Sequence, residues 1–551
     1  MKSYQTWFGE GPELSVLRML GLFDRPVDEK ALGTLLKPPA IPGLTELLTD
    51  LSPTEWRTML ARLRRARLLA GEDPQNRGHL DTHPLVREYY GEQLLSQQTE
   101  AWKECNRRLY SYYRALAPQL PESFGEMEPL FLAAICGCNA GLFRDTVHEI
   151  YIARIQRGNA SFAAKVLGAR GALLSILAHF FEHGRWGSPV EKGAEGQSLT
   201  AEDQVFILTQ AGLYLTATRG YSAPEARICY ERAESLCHSL NRPLLLYVAL
   251  MGRWRYSLQT DKLTATMQIA QRVYSLAQEQ NDSALLIGAY SALAGTLYFM
   301  GDFESAHQYA MRGVQIWRSG GVQSYDEELN APAVNVLCFE AQAKWHLGEI
   351  ASSQTTVAEA ISLAEEMNDM HRLAVALWHA AVLAYYEGNP AEVERLASKS
   401  IELSTRHHFA HWLPQGEVLR GWARSTSGDI TEGISWIVDG IEDFRAIGAL
   451  RGVPFFLALK AEALHLADRT FEALEAIREA EGLVERFEER LWRADVHRLR
   501  GVLLTAIGAD ETQIEASFCE AVRTARQQKS ISLARRAEAS YAEYRSKKGK
   551  L

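Results

Sequence analysis

The chain has 551 residues, 47% hydrophobic and 23% charged, which excludes global disorder and favours several domains or one elongated repeat array. Its formal net charge of −9 excludes a protein that coats nucleic acid through bulk charge, although a local basic patch is compatible with it. The seven cysteines are scattered and odd in number, so no disulfide framework is predicted and a reducing, cytoplasmic setting is expected.

The N-terminal region predicts short helices separated by turns. Residues 14–22 and 29–36 have the apolar spacing of two amphipathic helices. Prolines within 38–42 then break the chain. Ser52 precedes a proline and an acidic first turn, which predicts a third helix, with its body over 56–69.

This third helix is rich in arginine. It could enter a DNA major groove and neutralise phosphates, as a recognition helix does. It could equally dock on an acidic protein surface or stay exposed, because its leucines form a core side and acidic residues lie close by. The arginines are Arg57, Arg62, Arg64, Arg65 and Arg67.

A wing and a further helix follow. The polar turn over 71–78 and the residues after it predict a short two-stranded wing. His83-Pro84 then begins a helix, in which proline in the first turn loses no hydrogen bond and His83 serves as the cap. Together these elements predict a winged-helix-like domain over residues 1–96.

Most of the remaining chain is a repeat of helix pairs. A turn position recurs every 40 residues, apart from one interval of 47. A small residue recurs seven places before it, about two helical turns away, so both lie on the same helix face. The turn positions are Asp261, Gly301, Gly348, Gly388, Gly428, Asp468 and Gly508. The small residues are Ala294, Ala341, Ala381, Gly421, Ala461 and Gly501.

Two antiparallel helices approach closely only where small residues face each other, and large residues fill the groove shared with the next pair. The pattern therefore predicts an all-α, tetratricopeptide-like solenoid over 201–546, stacked as a right-handed superhelix with a concave face. The surplus residues around 320–329 predict a looser loop. A helical connector with a degenerate repeat is expected over 97–200, and a frayed tail over 547–551.

Several segments resemble a known family. The N-terminal region resembles the winged-helix segment that follows the nucleotide-binding domain of bacterial STAND NTPases of the NACHT and NB-ARC type, in ELSVLRMLGLFDRPVD, PAIPGLTELL, ARLRRARLLA and LDTHPLVREYYGEQL. The repeat region resembles the tetratricopeptide tail of large bacterial STAND ATPases, in HWLPQGEVLRGWA, GISWIVDGI and RADVHRLRGVLL. In such proteins the NTPase hydrolyses nucleotide, the repeats sense a ligand or partner, and the winged helix keeps the protein in its closed conformation.

The resemblance implies bacterial signalling or defence, with the NTPase in another chain. No G-x-x-x-x-G-K-[ST] motif occurs here, so no P-loop is predicted. We expect a split or truncated sensor half, or a complete protein whose ancestor lost its NTPase domain. His83 matches the histidine of the NB-ARC Met-His-Asp triplet, which makes it a candidate for contact with a nucleotide held by a partner. Pro84 stands where the acid would be, so capping by His83 is the competing interpretation.

No catalytic, metal or cofactor site is predicted. Cys136 and Cys138 would point apart on a helix, so they could not share a metal. His407 and His411 have ligand spacing on one helical face but lack the glutamate of the zinc motif, which favours an ordinary helix end. The carboxylates of Glu488-Glu489 are interpreted as solvated charge.

Tryptophans recur at positions that pack between helix pairs. Core filling is their simplest role, but some could line the concave groove and anchor a peptide, because Trp is enriched among binding hot spots. The candidates are Trp317, Trp345, Trp378 and Trp412.

These features predict a non-catalytic interaction protein, which binds a protein or peptide through the solenoid. Its winged helix would dock on a separate NTPase or effector enzyme. The alternative is a winged-helix transcriptional regulator that contacts DNA through Arg62, Arg64, Arg65 and Arg67. No signal-peptide core and no uncharged run of about eighteen apolar residues is found, so no membrane partner is expected.

Overall fold

The computed structural model describes residues 7–72, 78–320 and 327–548. Within these ranges the chain is all-α, as predicted, and two isolated bridges are its only β-type pairings. It divides into two compact units. The N-terminal unit comprises Met1–Gly158, Ser175–Gly184 and Ser188–Asp203, and the repeat unit comprises Asn159–Leu174, Arg185–Gly187 and Gln204–Leu551.

Local sequence signals set the starts of the N-terminal helices. Ser52 and Glu55 form a reciprocal capping box. The carboxylate of Asp28 caps the next helix from one side only, by accepting from the backbone N–H of Ala31 at 2.8 Å. The Nδ1 atom of His83 accepts from the N–H of Leu85 at 3.3 Å, as the capping interpretation predicts. The helices are α1 (Pro12–Leu20), α2 (Glu29–Leu35), α3 (Glu46–Thr49), α4 (Pro53–Arg65), α5 (Pro84–Gln97), α6 (Thr99–Leu116), α7 (Phe124–Asn139) and α8 (Phe143–Asp145), then a π-helix (Thr146–Gln156).

Extended segments of the N-terminal unit lie side by side, without regular strands among the described residues. Val27 and Leu80 exchange two backbone hydrogen bonds of 3.0 Å. The N–H of Ala70 donates to the carbonyl oxygen of Asp81 at 2.9 Å. These contacts lie at the base of the predicted wing, whose turn includes residues 73–77, outside the described residues.

The repeat unit is a solenoid, as the phased turns predict. Within the described chain it contains eight consecutive helix pairs and a last single helix. From α12 onward consecutive helices pack together, and from α13 onward the first helix of each pair also contacts that of the next pair. The pairs, which follow α9 (Phe162–Lys165) and α10 (Arg170–Ala178), are α11 (Ala201–Arg219) with α12 (Pro224–Leu240), α13 (Pro243–Thr260) with α14 (Leu263–Gln280), α15 (Ser283–Met300) with α16 (Phe303–Arg318), α17 (Glu327–His346) with α18 (Ile350–Glu366), α19 (Met370–Tyr386) with α20 (Pro390–His407), α21 (Trp412–Thr426) with α22 (Ile430–Ala446), α23 (Val453–Leu466) with α24 (Thr470–Phe487), and α25 (Arg493–Ala506) with α26 (Glu511–Gln527), before α27 (Ile531–Lys548).

The predicted turn and small residues have the expected geometry. Asp261 is an exception, with an extended backbone at φ −102°. A Cβ atom added to Gly501 would lie 2.8 Å from the Phe518 ring, so the paired helices are in close contact there. The other six turn positions all have positive φ, which closes a helix C-terminus: Gly301, Gly348, Gly388, Gly428, Asp468 and Gly508.

Helix α15 contradicts the expectation that the chain has no uncharged, apolar run of about eighteen residues. Its 18 residues carry no charge, and by length and composition it could cross a membrane. However, 67% of it is buried inside the structure, where it packs against α14, α16 and α17. A helix that is apolar on all sides is typical of such a core position.

Helix pairs far apart in sequence also meet within the repeat unit. The guanidinium of Arg451 donates to the carbonyl oxygens of Leu258 at 2.8 Å and Asp261 at 2.7 Å. The hydroxyl of Ser222 donates to the carbonyl oxygen of Ile447 at 2.7 Å. The inner face is therefore partly covered by the chain itself and is not open along its whole length.

Two predicted irregular segments fall mainly outside the described residues. The looser loop predicted around 320–329 includes 321–326, which lie outside them, and α17 begins at Glu327. The last helix continues to Lys548, and the rest of the predicted frayed tail, 549–551, is outside the described chain.

Candidate functional site

A cavity of about 80 Å³ lies inside the repeat unit. It is lined by the first helices of five consecutive pairs, α13, α15, α17, α19 and α21. Residues outside these helices complete the lining: Tyr221 after α11, His411 before α21, and Arg451 and Gly452 before α23. The repeat thus brings together side chains that are more than 200 residues apart in the sequence, which is typical of a binding site on the inner face of a solenoid.

Aromatic side chains form the apolar part of this cavity. The ring centroids of Trp378 and Trp412 are 6.1 Å apart. The Nε1–H of Trp254 donates to the hydroxyl of Thr296 at 3.0 Å, which orients its ring. The cavity therefore suits an apolar or aromatic group. Its aromatic members are Tyr221, Trp254, Phe299, Phe339, Trp378 and Trp412.

Polar atoms without a partner line the same cavity. Burial lowers the pKa values of His379 and His411 to about 3, so both rings are neutral near pH 7. Buried polar atoms are almost always paired in proteins, so several unpaired ones at one cavity indicate a place where a ligand donates and accepts hydrogen bonds. In the described lining of this cavity, the buried atoms without a hydrogen-bond partner are Gln259 Oε1, Asn335 Oδ1, Trp378 Nε1, His379 Nδ1 and His411 Nδ1.

A smaller cavity of about 20 Å³ shares Tyr221 and Arg255 with the aromatic one. Arg170 and Arg372 also line it, so three guanidinium groups meet there. Asp369 is the only carboxylate in the described lining. The two adjoining cavities therefore combine an end lined by charged side chains with an apolar one.

His371 lines the smaller cavity and contacts Trp412 of the larger one. Burial, reinforced by Arg372 and Arg170, holds the pKa of His371 well below its ordinary value. Its neutral Nε2 atom accepts from the Nε1–H of Trp412 at 3.3 Å. The imidazole thus helps to orient a tryptophan of the larger cavity.

A second buried polar cluster, around α25, is internally paired. Asp495 accepts from the Nε–H of Arg498 at 2.6 Å, and Glu462 accepts from the Nε1–H of Trp422 at 2.7 Å. Burial alone would raise the pKa of Asp495, but Arg498 and Arg536 together hold it below its ordinary value. Because its charges pair with one another, we assign this cluster to stability.

The interpretation of Glu488-Glu489 as solvated charge is wrong for Glu489. Both Glu489 and Arg451 have side chains that are 1% exposed, and the carboxylate lies 3.7 Å from the guanidinium. The Nε1–H of Trp492 donates to the same carboxylate at 2.8 Å. Burial raises the pKa of Glu489 and Arg451 opposes that shift. The partners are distant in sequence, so a local charge pattern does not reveal the pair.

The tryptophan candidates separate into two groups. Trp378 and Trp412 line the cavity. Trp345 is 3% exposed and stacks on Tyr386 with 4.1 Å between ring centroids, while Trp317 packs half-buried against the core. The structure therefore brings two of the four candidates to the site.

The arginine candidates do not form one free basic face. Arg62 pairs with the buried carboxylate of Glu13 at 2.7 Å, and Arg64 pairs with Glu72 at 2.8 Å. The prediction that Arg67 belongs to the helix is wrong, because α4 ends at residue 65 and Arg67 has a left-handed backbone with φ 59°. The other two, Arg57 and Arg65, are exposed on α4.

The predicted histidine pair does not share a helix. His407 ends α20, His408 has φ 55°, and His411 lies buried before α21. The left-handed turn at His408 separates the two rings onto different elements, so the expectation of one helical face is wrong. No group of three or more His, Cys, Asp or Glu that could hold a metal occurs in the described part of the chain.

Comparison with known proteins gives distant matches, and no protein-family model matches the chain. An uncharacterised protein of Rhizobium meliloti is 23% identical over 355 residues, which are 64% of this chain and 34% of that protein. The chain therefore spans about a third of the length of this relative.

Two solved structures are similar to the chain at low scores. A Rap protein complexed with competence and sporulation factor has 10% identity and a TM-score of 0.44, covering 63% of this chain and 98% of its own. A STAND protein with a tetratricopeptide repeat sensor from Pyrococcus horikoshii has 12% identity and a TM-score of 0.34, covering 94% of this chain and 63% of its own. Such low scores carry no information on function.

Proposed function

We propose that this chain is a non-catalytic sensor and interaction scaffold of a bacterial STAND-type signalling or defence system. Its repeat unit would capture a peptide or a segment of a partner protein, in the cytoplasm. The observation that carries this proposal is the aromatic cavity on the inner face, with its unpaired buried polar atoms such as His379 Nδ1 and Asn335 Oδ1. A peptide supplies the apolar side chain and the backbone donors and acceptors that such a lining would bind.

The N-terminal part of the proposal is a winged-helix domain over 1–96 that docks on a separate NTPase or effector enzyme, joined to the solenoid by a connector over 97–200. The contact between Val27 and Leu80 supports a wing. The Nδ1 atom of His83 already caps α5, so only Nε2 would remain for a nucleotide held by that partner.

The test is quantitative capture of partners from the native host with Trp378→Ala and with a control, Phe471→Ala, whose side chain is 73% exposed. We expect wild type and the control to retain the same partner, and Trp378→Ala to lose it while keeping its helical circular dichroism. If Trp378→Ala misfolds, Asn335→Leu replaces it. Retention by the cavity variants, or ATP turnover by the purified chain, would contradict the proposal.

A further inference from the structure

The unpaired polar atoms of the aromatic cavity set what an occupant must donate and accept. Within the described lining, the amide oxygens Gln259 Oε1 and Asn335 Oδ1 are acceptors without a donor, and the Nε1–H of Trp378 is a donor without an acceptor. A group that satisfies all three must donate twice and accept once. The unpaired Nδ1 atoms of His379 and His411 add no further condition, because a neutral imidazole nitrogen donates in one tautomer and accepts in the other.

A charged occupant would meet no unpaired counter-charge in this cavity. Arg255 and Arg451 are the only charged residues in its described lining. The guanidinium of Arg451 lies 3.7 Å from the carboxylate of Glu489, and Arg255 has an interaction partner of its own. Burial lowers the pKa values of His379 and His411 to about 3, so both rings are neutral near pH 7. Because an unpaired charge is costly to bury, the lining favours an uncharged occupant.

We infer that the aromatic cavity binds a primary carboxamide on a short aliphatic stem, which is the side chain of glutamine. A primary carboxamide has two N–H donors and one acceptor oxygen, the same numbers that the two amide oxygens and Trp378 require. A carboxylate has no donor, an ammonium group has no acceptor, and a backbone amide has only one donor. This inference rests on the proposed function and names the side chain that the captured peptide would place in this site.

The size of the cavity narrows the apolar part of the occupant to a short aliphatic chain. A cavity of about 150 Å³ holds a benzene ring, whereas this one has a volume of about 80 Å³. Aromatic rings of the lining, such as Trp254 and Phe339, would contact the methylene groups of the stem. Two sources offer this chemistry: the glutamine side chain of a peptide, and a free aliphatic amide.

The experiment is isothermal titration of the full chain with three small probes of similar shape. Butyramide carries the carboxamide, butyrate carries a charged carboxylate in its place, and methyl propyl ketone keeps the carbonyl oxygen but has no donor. We expect saturable binding of butyramide and at least tenfold weaker binding of the other two probes.

A pair of peptides distinguishes the two sources. The first is Ala-Ala-Gln-Ala-Ala, acetylated at its N-terminus and methylamidated at its C-terminus, so that the glutamine is its only primary carboxamide. The second has methionine in place of the glutamine, which keeps the length of the side chain and removes its donors. We expect the glutamine peptide to bind at least tenfold more tightly than the methionine peptide.

The variant Asn335→Leu removes one of the unpaired oxygens and keeps a side chain of similar size. It should bind butyramide at least tenfold more weakly than wild type, because one N–H of the carboxamide would be buried without an acceptor. The control Gln271→Leu replaces an exposed amide on α14 and should bind butyramide as wild type does. Equal binding by wild type and Asn335→Leu would overturn the inference.

A stability measurement distinguishes a ligand-binding amide from a structural one. In buffer without probe, Asn335→Leu should unfold at the same temperature as wild type or higher, because it removes a buried oxygen that has no partner. Unfolding several degrees lower than wild type would assign Asn335 a structural role and overturn the inference.

The outcomes separate this inference from the proposed function. Butyrate or the ketone binding as tightly as butyramide, or equal binding of the two peptides, would overturn the carboxamide site and leave peptide capture standing. Binding of butyramide without the glutamine peptide would support the carboxamide site and contradict a peptide as its occupant. Absence of saturable binding by every probe at millimolar concentration would assign the unpaired atoms to ordered water and overturn the inference.

Discussion

The guanidinium of Arg451 and the carboxylate of Glu489 lie 3.7 Å apart, each with a side chain only 1% exposed. Arg451 also donates to the carbonyl oxygens of Leu258 and Asp261, about 190 residues earlier in the chain. One side chain therefore connects the loop before α23 both to α13 and to the segment after α24.

We predict that Arg451→Met destabilises the repeat unit by about 3–5 kcal/mol, because it leaves a buried carboxylate without its counter-charge. Glu489→Gln should cost less, since the amide oxygen can still accept from Trp492 and Arg451 keeps its carbonyl acceptors, Leu258 and Asp261. Urea unfolding followed by circular dichroism measures both. The control is Arg406→Met, whose exposed pair with Glu402 should change stability by less than about 1 kcal/mol. Equal losses for Arg451→Met and the control would contradict this role.

Acid sensitivity follows from three buried histidines. Burial lowers the pKa values of His346, His379 and His411 from 6.5 to about 3. As the pH falls below 6.5 the unfolded chain binds protons that the folded chain does not, so their contribution to stability is complete above pH 6.5 and falls as the pH approaches 3. Lowering the pH from 6.5 to 5 should therefore reduce the free energy of unfolding by up to about 2 kcal/mol for each ring.

The measurement is urea unfolding at pH 7 and at pH 5. The double variant His379→Gln/His411→Gln should show a smaller difference in the free energy of unfolding between pH 7 and pH 5 than wild type, whatever the substitutions do to stability at pH 7. His238→Gln is the control, because that side chain is 61% exposed and its replacement should leave the difference unchanged. If the free energy of unfolding changed as much between pH 7 and pH 5 in the double variant as in wild type, this account would be contradicted.

The fold of the repeat unit was predictable because its packing is largely local. Helix α15 contacts α16 and α17, its neighbours along the chain, so Ala294 and Gly301 mark that packing within a single repeat. The closure of the inner face was not predictable. The contact between Ser222 and Ile447 depends on the superhelical twist between successive helix pairs. The sequence of a single repeat does not determine this twist.

The candidate site was predictable only in part, for a related reason. Trp378 and Trp412 belong to a residue type known from hot spots, so sequence alone selected them, but it also selected Trp345, which packs in the core. Arg255 was missed, although a charged side chain between two aromatic ones, Trp254 and Tyr256, is a usable signal. Arg170 precedes the regular repeats, and no pattern marks it.

The crossing of α1 and α5 in the N-terminal unit depends on a contact between two glycines. A Cβ atom on Gly91 would lie 2.6 Å from the carbonyl oxygen of Gly21, and backbone cannot move aside as a flexible side chain can. We predict that Gly91→Ala costs about 1–3 kcal/mol through overpacking. Gly33→Ala, in α2 with nothing within 4 Å of the added Cβ, should instead stabilise by about 0.5–1 kcal/mol. Thermal unfolding of both variants tests this, and a similar shift in both would contradict it.

DNA binding through α4 is the remaining alternative, and the pairing of its arginines argues against it. Arg62 and Arg64 are neutralised by Glu13 and Glu72, which leaves few free charges to displace counterions from phosphates. We therefore predict no retardation of genomic DNA fragments in a gel shift at moderate salt. Salt-sensitive retardation that disappears in Arg64→Ala/Arg65→Ala would favour the transcriptional regulator. Retardation that persists in this variant would place any nucleic-acid contact elsewhere on the chain.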